Sequence, residues 1–466
     1  MAGEIHNQTV EELGRRLRAR ETTPTELTRL YLERLDSVGR RYNAVVTITE
    51  ERALRDAAQA EAELAAGYDR GPLHGIPFCA KDLLNVPGYP TTWGAVPYKD
   101  QSFDAESHVT ARLRDAGAVL VAKLGMVELA GGMGYNQPNA SLTGPGITPW
   151  NADEHPSWSG GSSSGSGSAV AAGAVGFAIG SETWGSITTP AGFCGVSGLR
   201  PTYGRVSRRG AMALSWTMDK LGPMARSAHD CGLVLAAIAG HDSGDQSSSQ
   251  RPYAYPPAGE RTSGFRFGLL SDATANVQDG VRDNFLASLR VLEECGTVET
   301  VSLPDLPYNE VAGIIIQAEL SSAFEELLMS GDVTQLTAPE DRVNGLASLA
   351  LPAHVYIRAL RIRRHICVAM DELTSRFDAL ISPTLPTVAS PVDQSFEAYF
   401  SRANRSPLGG AANVAGLPGI AIPNGYGERG LPTSLQFTGR AWDENTILAA
   451  ARAYQERTDW HTKWPC

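Results

Sequence analysis

The sequence predicts an α/β protein in which a largely buried sheet is covered by helices. Three observations carry that prediction. Short apolar runs at Val45–Ile48, 118–124, Phe265–Leu270 and 297–303 alternate with amphipathic helical stretches, the pattern a helix-covered sheet requires. The 466 residues are 42 % hydrophobic, enough for a sizeable buried core. Gly117 stands between a helical stretch and a strand, where a left-handed residue ends a helix.

Taken in order, the chain opens with two capped helices. Thr9 and Thr23 each stand three residues ahead of a glutamate, Glu12 and Glu26, and Pro24 takes the first helical position of the second; this is the reciprocal capping pattern. Val10, Leu13 and Leu17 form one apolar stripe, and Leu27, Leu30, Tyr31 and Leu35 another. A strand at Val45–Ile48 precedes an Ala/Glu-rich helix reaching about Leu64. Residues 71–82 hold a short apolar strand that delivers Lys81. A helix from His108, with Val109 and Leu113 inward, leads into strand 118–124, and 131–150 has the Gly, Asn and Pro content of an irregular loop. Residues 160–190 begin as a Gly/Ser tract, pass through an Ala/Val helix and an apolar strand, and close on a serine-bearing turn. Residues 240–259 read as a polar surface connection. A second α/β stretch follows, with strand Phe265–Leu270, helix 280–295 and strand 297–303. Residues 311–370 read as helical with a break near Pro352; strands at 377–383, 416–423 and 435–437 and a helix at 444–457 complete the chain.

Composition narrows the function. With a formal net charge of −11, a phosphate-binding surface needs a local basic cluster. The two dense ones, 205–209 and 358–364, are short and read as solvated faces or helix-end charges, so no nucleic-acid partner is expected. Six cysteines without CxxC spacing speak against zinc and against a disulfide framework, and read as reduced and mostly buried. The N-terminus shows no basic-then-apolar leader, and no apolar run reaches the roughly 18 residues that span a bilayer. A cytoplasmic protein without a membrane partner is the expectation.

The chemistry concentrates on two serines. Ser162 and Ser186 sit on turns at either end of one helix-and-strand unit, where a compact fold brings them together. Residues 160–168 alone would suit a flexible linker. The apolar run from Ala169 and the small residues Ala171, Ala172, Gly173 and Ala174 suit instead a helix packed closely on neighbouring backbone. A serine hydroxyl needs a base to attack. Gly161 to Gly165 formally matches the GxSxG elbow with Ser163 at its centre, but no strand precedes it, and the nine histidines form no convincing motif; His74 and His461 read as structural. Lysine is the other available base, provided burial lowers its pKa from about 10.4 toward 7–8. Taken alone, Lys81 beside Asp82 reads as a surface ion pair at a strand end. With two serines as partners it becomes a base: Lys81 takes the proton of Ser162, and Ser162 takes that of Ser186 as it attacks. The turn Thr183-Trp184-Gly185-Ser186 offers successive backbone N–H groups to the resulting oxyanion.

These residues resemble the amidase signature enzymes. The likeness covers nearly the whole chain: the GxPxxxKD segment ending at Lys81-Asp82, Pro87-Gly-Tyr-Pro-Thr-Thr92, the GGSSSG tract, the GSExxGSI turn, Gly198-Leu-Arg-Pro-Thr-Tyr-Gly204, and the C-terminal Leu-Pro-Gly-Ile and Leu-Gln-Phe. The separation of 24 positions from Ser162 to Ser186 matches the family's spacing. The resemblance implies Lys81 as base, Ser162 as a bridging serine on a cis peptide bond, and Ser186 as the acyl-forming nucleophile. It places Thr183, Trp184, Gly185 and Ser186 at the oxyanion hole and Met133 on a loop lining the acyl pocket. It implies a single α/β/α domain around a large mixed sheet, needing no metal or cofactor. Within 1–466, residues 1–66 would pack N-terminal helices and a strand on the core, 71–240 hold the catalytic core, 265–370 add a second α/β stretch with a helical substrate cover, and 376–460 return to the sheet.

Two departures stand out. Family members often read Asp-Thr-Gly-Gly-Ser-Ile-Arg where this chain has Glu182-Thr-Trp-Gly-Ser-Ile-Thr188. A frequent structural ion pair is therefore expected to be lost, and Trp184 brings a large ring where glycine is common. The resemblance implies a stand-alone hydrolase of small apolar or aryl amides, extending to carbamates (urethanase-type activity) and esters; a second copy of the chain, as a homodimer, is the one protein partner considered for it. One alternative is the A subunit of a glutamine-dependent tRNA amidotransferase; Thr188 in place of arginine, and no obvious basic group for a glutamine α-carboxylate, speak against it. Another is a non-catalytic binding protein with a degenerate site.

Overall fold

The computed structural model describes residues 4–134, 136–257, 259, 261–400 and 407–465. Its strands are β1 (Val45–Ile48), β2 (Pro77–Lys81), β3 (Val119–Leu124), β4 (Phe177–Glu182), β5 (Ser197–Arg200), β6 (Lys220–Ala225), β7 (Phe265–Leu270), β8 (Gly296–Val301), β9 (Ala379–Pro383), β10 (Gly419–Tyr426) and β11 (Pro432–Thr438). They form one mixed sheet in the order β1-β3-β2-β4-β6-β5-β10-β11-β9-β7-β8. β2 runs parallel to β3 and β4, and β7 parallel to β8 and β9. The central β4-β6-β5-β10-β11-β9 run is antiparallel.

Strand alternation sorts the two faces by size. Phe78, Phe177, Ile179, Ile420 and Ile422 join one core with Val10, Leu13, Val234, Leu235, Ile447 and Leu448 from the covering helices. Each large side chain so buried contributes about 1.5–3 kcal/mol. The intervening residues Cys79, Ala178 and Ala421 belong to the opposite core, with Ala169, Ala191 and Cys194. On that small-residue face the helices Ser164–Ala171 and Thr188–Cys194 approach closely. At Gly165 a Cβ would stand 2.5 Å from the Ala44 carbonyl oxygen and 2.7 Å from the Gly125 nitrogen, so only glycine permits that approach.

Both expected capping boxes form, at Thr9 with Glu12 and at Thr23 with Glu26. The helical region after residue 307 is more divided than a single break near Pro352: it comprises Tyr308–Ala323, Glu325–Ser330, Asp341–Ser348 and Ala353–Thr374. β6 has no clear signal, because Gly222 and Pro223 stand in its middle and proline is rare inside a sheet. The β5 pairing ends at Met224, so Pro223 owes that neighbour no ladder bond.

The basic cluster 205–209 is not a solvated face. Arg205 is buried, bonds Glu444 at 2.9 Å and lies 4.8 Å from the Trp442 ring centroid; Arg209 pairs with Asp242 at 2.7 Å. Arg358, Arg361 and Arg364 are exposed as expected, whereas Arg363 donates to the Thr217 and Val414 carbonyls. Cys79, Cys194, Cys231 and Cys295 are free and buried, Cys367 is free and partly buried, and Cys466 lies outside the described residues. Among the described residues no helix is long and apolar enough to cross a membrane.

Lys81 and Asp82 do not form a surface pair. Asp82 turns instead to Lys123 of β3 at 2.7 Å, and both side chains are fully buried. Asp82 also accepts the Thr92 N–H at 3.0 Å, and Lys123 donates to the Thr91 hydroxyl at 2.6 Å. Removing one member of a buried pair strands the other charge, so Lys123→Met is expected to cost about 3–5 kcal/mol. Urea unfolding of the variant against the wild type measures this, and a cost below about 1 kcal/mol would mean that the pair is not ionised.

Candidate active site

The parallel pairing of β2 with β4, with Ala80 opposite Ile179, carries Lys81 to the end of β4. There its side chain is fully buried, and Nζ lies 2.7 Å from Ser162 Oγ and 2.9 Å from Ser181 Oγ. Burial lowers the lysine pKa from 10.5 to about 7, against the pull of the Asp219 and Glu182 carboxylates. When the amine is neutral its lone pair can accept the Ser162 proton across that short contact.

Ser162 precedes the Ser164–Ala171 helix, and the Gly161–Ser162 peptide is cis. Its carbonyl accepts the Val127 N–H at 3.1 Å. The two serine turns meet: the Ser163 N–H donates to the Ser186 carbonyl at 3.3 Å, and Ser162 and Ser186 are both buried. The Ser163 hydroxyl donates to the Ser181 carbonyl and accepts the Ser181 N–H, each at 3.2 Å, a structural engagement rather than an elbow. His74 is fully buried 3.1 Å from Glu63, away from this cluster, and His461 lies on a short helical turn near the C-terminus.

Glu182 fixes the turn that bears Ser186. Its fully buried carboxylate accepts the Ile187 N–H at 2.9 Å and the Thr188 N–H at 3.0 Å, and pairs with Arg200 of β5 at 2.7 Å. Burial alone would raise its pKa; Arg200 and Lys220 outweigh that and hold it at about 2. The ion pair expected to be lost is thus supplied by Arg200, while the Thr188 hydroxyl donates to the same carboxylate at 3.3 Å. Thr183 donates its hydroxyl to Asp219 at 2.5 Å. The Trp184 ring is half-buried against the apolar cluster of helices Tyr308–Ala323, Ala353–Thr374 and Pro407–Val414. Met133 is buried against Gly345 of the Asp341–Ser348 helix.

A cavity of about 270 Å³ reaches Ser181 and Thr183 and is lined further by Leu214, Trp216, Asp219 and Arg208. In the sequence nothing marks a role for Ser181, Arg200, Asp219 or Lys220. Arg200 was visible only as part of a motif, and a lysine opening an apolar run at Lys220 was the one available hint of a buried cation.

The chain matches the family model described as Amidase over residues 26–448. It is 34 % identical to the A subunit of glutamyl-tRNA(Gln) amidotransferase from Heliobacterium modesticaldum, over 99 % of both chains. Among solved structures, a peptide amidase from Stenotrophomonas maltophilia superposes with a TM-score of 0.84 at 32 % identity, covering 97 % of each chain. A bacterial aryl acylamidase does so with a TM-score of 0.83 at 23 % identity, covering 99 % of this chain and 100 % of that one, a likeness of fold.

The buried amine has a thermodynamic signature. With a folded pKa near 7 against 10.5, the unfolded chain binds more protons between those values, so this group's contribution makes stability rise with pH through that window. Lys81→Met removes the titration. Whatever constant offset the lost hydrogen bonds add, the stability of Lys81→Met relative to wild type is expected to be most favourable near pH 7 and to decline toward pH 10. Urea unfolding at both pH values reads the difference, and a constant difference would mean that the amine is protonated in the fold throughout.

Proposed function

The chain belongs to the amidase family, whose members are carbon–nitrogen hydrolases acting on amides, and on that premise we propose that it hydrolyses small apolar or aryl amides through an acyl-enzyme on Ser186. The observation that carries the reading is the buried Lys81 amine 2.7 Å from Ser162 Oγ. Neutral Lys81 accepts the Ser162 proton, and Ser162 takes the Ser186 proton as Ser186 attacks the amide carbon. The C=O π electrons move to oxygen, and the backbone N–H groups of 183–186 hold the oxyanion. When the oxyanion collapses the C–N bond breaks, and the relay run in reverse protonates the departing nitrogen. Water then repeats the sequence on the acyl-enzyme, releasing the acid and Ser186. Carbamates and esters can follow the same path, since each presents a carbonyl with a leaving group.

The apolar setting of Trp184, with the helices around it, supports an apolar or aryl substrate beneath a helical cover. Resemblance to the amidotransferase chain keeps glutamine hydrolysis alongside a partner protein as a second reading. Against it, the nearby guanidinium groups are engaged: Arg200 by Glu182, and Arg208 by the Ser247 hydroxyl at 2.7 Å and the Trp216 carbonyl. A hydrolysis screen over p-nitroacetanilide, ethyl N-phenylcarbamate, p-nitrophenyl butyrate and glutamine separates the readings. The anilide or carbamate is expected to be turned over and glutamine not; glutaminase activity together with a co-purifying partner would favour the second reading. Labelling of Ser186 by a fluorophosphonate excludes a non-catalytic binding protein.

Ser186→Ala is expected to abolish turnover, and Lys81→Ala and Ser162→Ala each to lower kcat by about a thousandfold or more, because members of one proton path fail together. Protonated Lys81 cannot start the relay, so kcat/KM should rise with pH through about 7 and level off above it. Stopped assays of p-nitroacetanilide hydrolysis across pH test both, and full activity of Lys81→Ala at neutral pH would overturn the lysine-base mechanism.

A further inference from the structure

Lys220 opens β6, directly opposite Glu182 of β4 in the antiparallel register. It is buried, and a buried lysine needs partners for its amine. Its Nζ donates to the Thr183 carbonyl at 3.3 Å and to the Met218 carbonyl. Burial and Arg200 lower its pKa to about 7, against the pull of Glu182 and Asp219. An amine donates to a carbonyl in either protonation state, so this contact does not depend on the charge.

The Thr183–Trp184 peptide is not among the cis bonds of the described residues, which are Gly161–Ser162 and Tyr255–Pro256. In a trans peptide the C=O and the N–H point in opposite directions. Whatever holds the Thr183 carbonyl therefore sets the direction of the Trp184 N–H. The Thr183 side chain is held from the same segment, by Asp219, which itself accepts the Leu214 and Ser215 N–H groups at 2.8 and 2.9 Å. Asp219 and Lys220 thus clamp Thr183 by its hydroxyl and its carbonyl. Farther along the turn, the Gly185 carbonyl takes the Thr189 N–H at 2.8 Å, a local anchor that the helix provides by itself. The Thr183 carbonyl is anchored from a different strand.

We infer that Lys220 is a positioning residue for the oxyanion-holding turn, gripping the Thr183 carbonyl so that the Trp184 N–H of the same plane is aimed at the developing oxyanion. The inference rests on the acyl-enzyme reading above and adds to it the residue that preorganises the turn. Lys220 touches no reacting atom, so its loss should weaken transition-state binding and leave ground-state binding intact.

The test is Lys220→Met, which keeps side-chain length and removes the donors. With p-nitroacetanilide, kcat should fall about tenfold to a hundredfold, less than or comparable to the loss of an oxyanion donor itself, with KM within about twofold. Affinity for a phenylalkyl trifluoromethyl ketone, whose adduct with Ser186 carries the tetrahedral oxyanion, should fall by the same factor as kcat/KM. Lys220→Gln, which keeps a donor on a shorter chain, should lie between, at least about threefold below wild type on both scales. Should Lys220→Met fail to fold, Lys220→Gln carries the test by itself. Wild-type kcat and ketone affinity in either folded variant overturn the inference, as does a parallel loss of kcat, KM and melting temperature without selective weakening of the ketone. Failure of the nucleophile assignment shows differently, as wild-type protein in which a fluorophosphonate does not label Ser186.

Discussion

The site hangs on one carboxylate. Glu182 ends β4 fully buried, where an unpartnered charge would cost several kcal/mol. Two backbone N–H groups, one hydroxyl and the Arg200 guanidinium offset that cost. Because the N–H donors belong to Ile187 and Thr188, the carboxylate bridges both flanks of the loop 183–186 and closes it like a clasp around Ser186. Thr188 joins this cluster as a hydroxyl donor, and the positive charge comes from Arg200 of β5.

What could be read from the sequence was what is local or periodic. Strands Val45–Ile48 and Phe265–Leu270 lie at the residues their apolar runs indicate, and both capping boxes are visible as Thr and Glu three apart. The meeting of the two serine turns was legible because each lies at an end of one continuous unit. Partnerships across the fold were not. Nothing near Asp82 announces Lys123, which the parallel register of β3 delivers. Likewise Arg205 looks solvent-facing until Glu444, 239 residues further on, is folded onto it. β6 was hidden because Pro223 contradicts the local preference that its neighbours satisfy.

Three lysines are buried in this core, and their partners separate their roles. Lys123 faces a carboxylate and serves as a structural countercharge. Lys220 faces carbonyl oxygens, which accept hydrogen bonds and have no proton to give. Lys81 alone among them lies against two hydroxyls. Burial lowers the pKa of Lys81 and Lys220 alike to about 7, so basicity by itself does not distinguish them. A hydroxyl can lose its proton to an amine and a carbonyl cannot, so Lys220 lacks the partner that proton transfer needs; Lys123 meets one hydroxyl, that of Thr91, but is held by the Asp82 carboxylate, and Lys81 meets two.

Trp184 ties the loop to a distant part of the chain. Its backbone sits in the loop beside Ser186, while its ring is rooted among helices Tyr308–Ala323, Ala353–Thr374 and Pro407–Val414. A glycine at this position would leave loop and helices free to diverge separately. Here a substitution that reshapes those helices also shifts the ring, and with it the loop. Packing changes among these helices are therefore felt at the backbone beside Ser186, so that helices distant in sequence and the loop 183–186 behave as one mechanical unit.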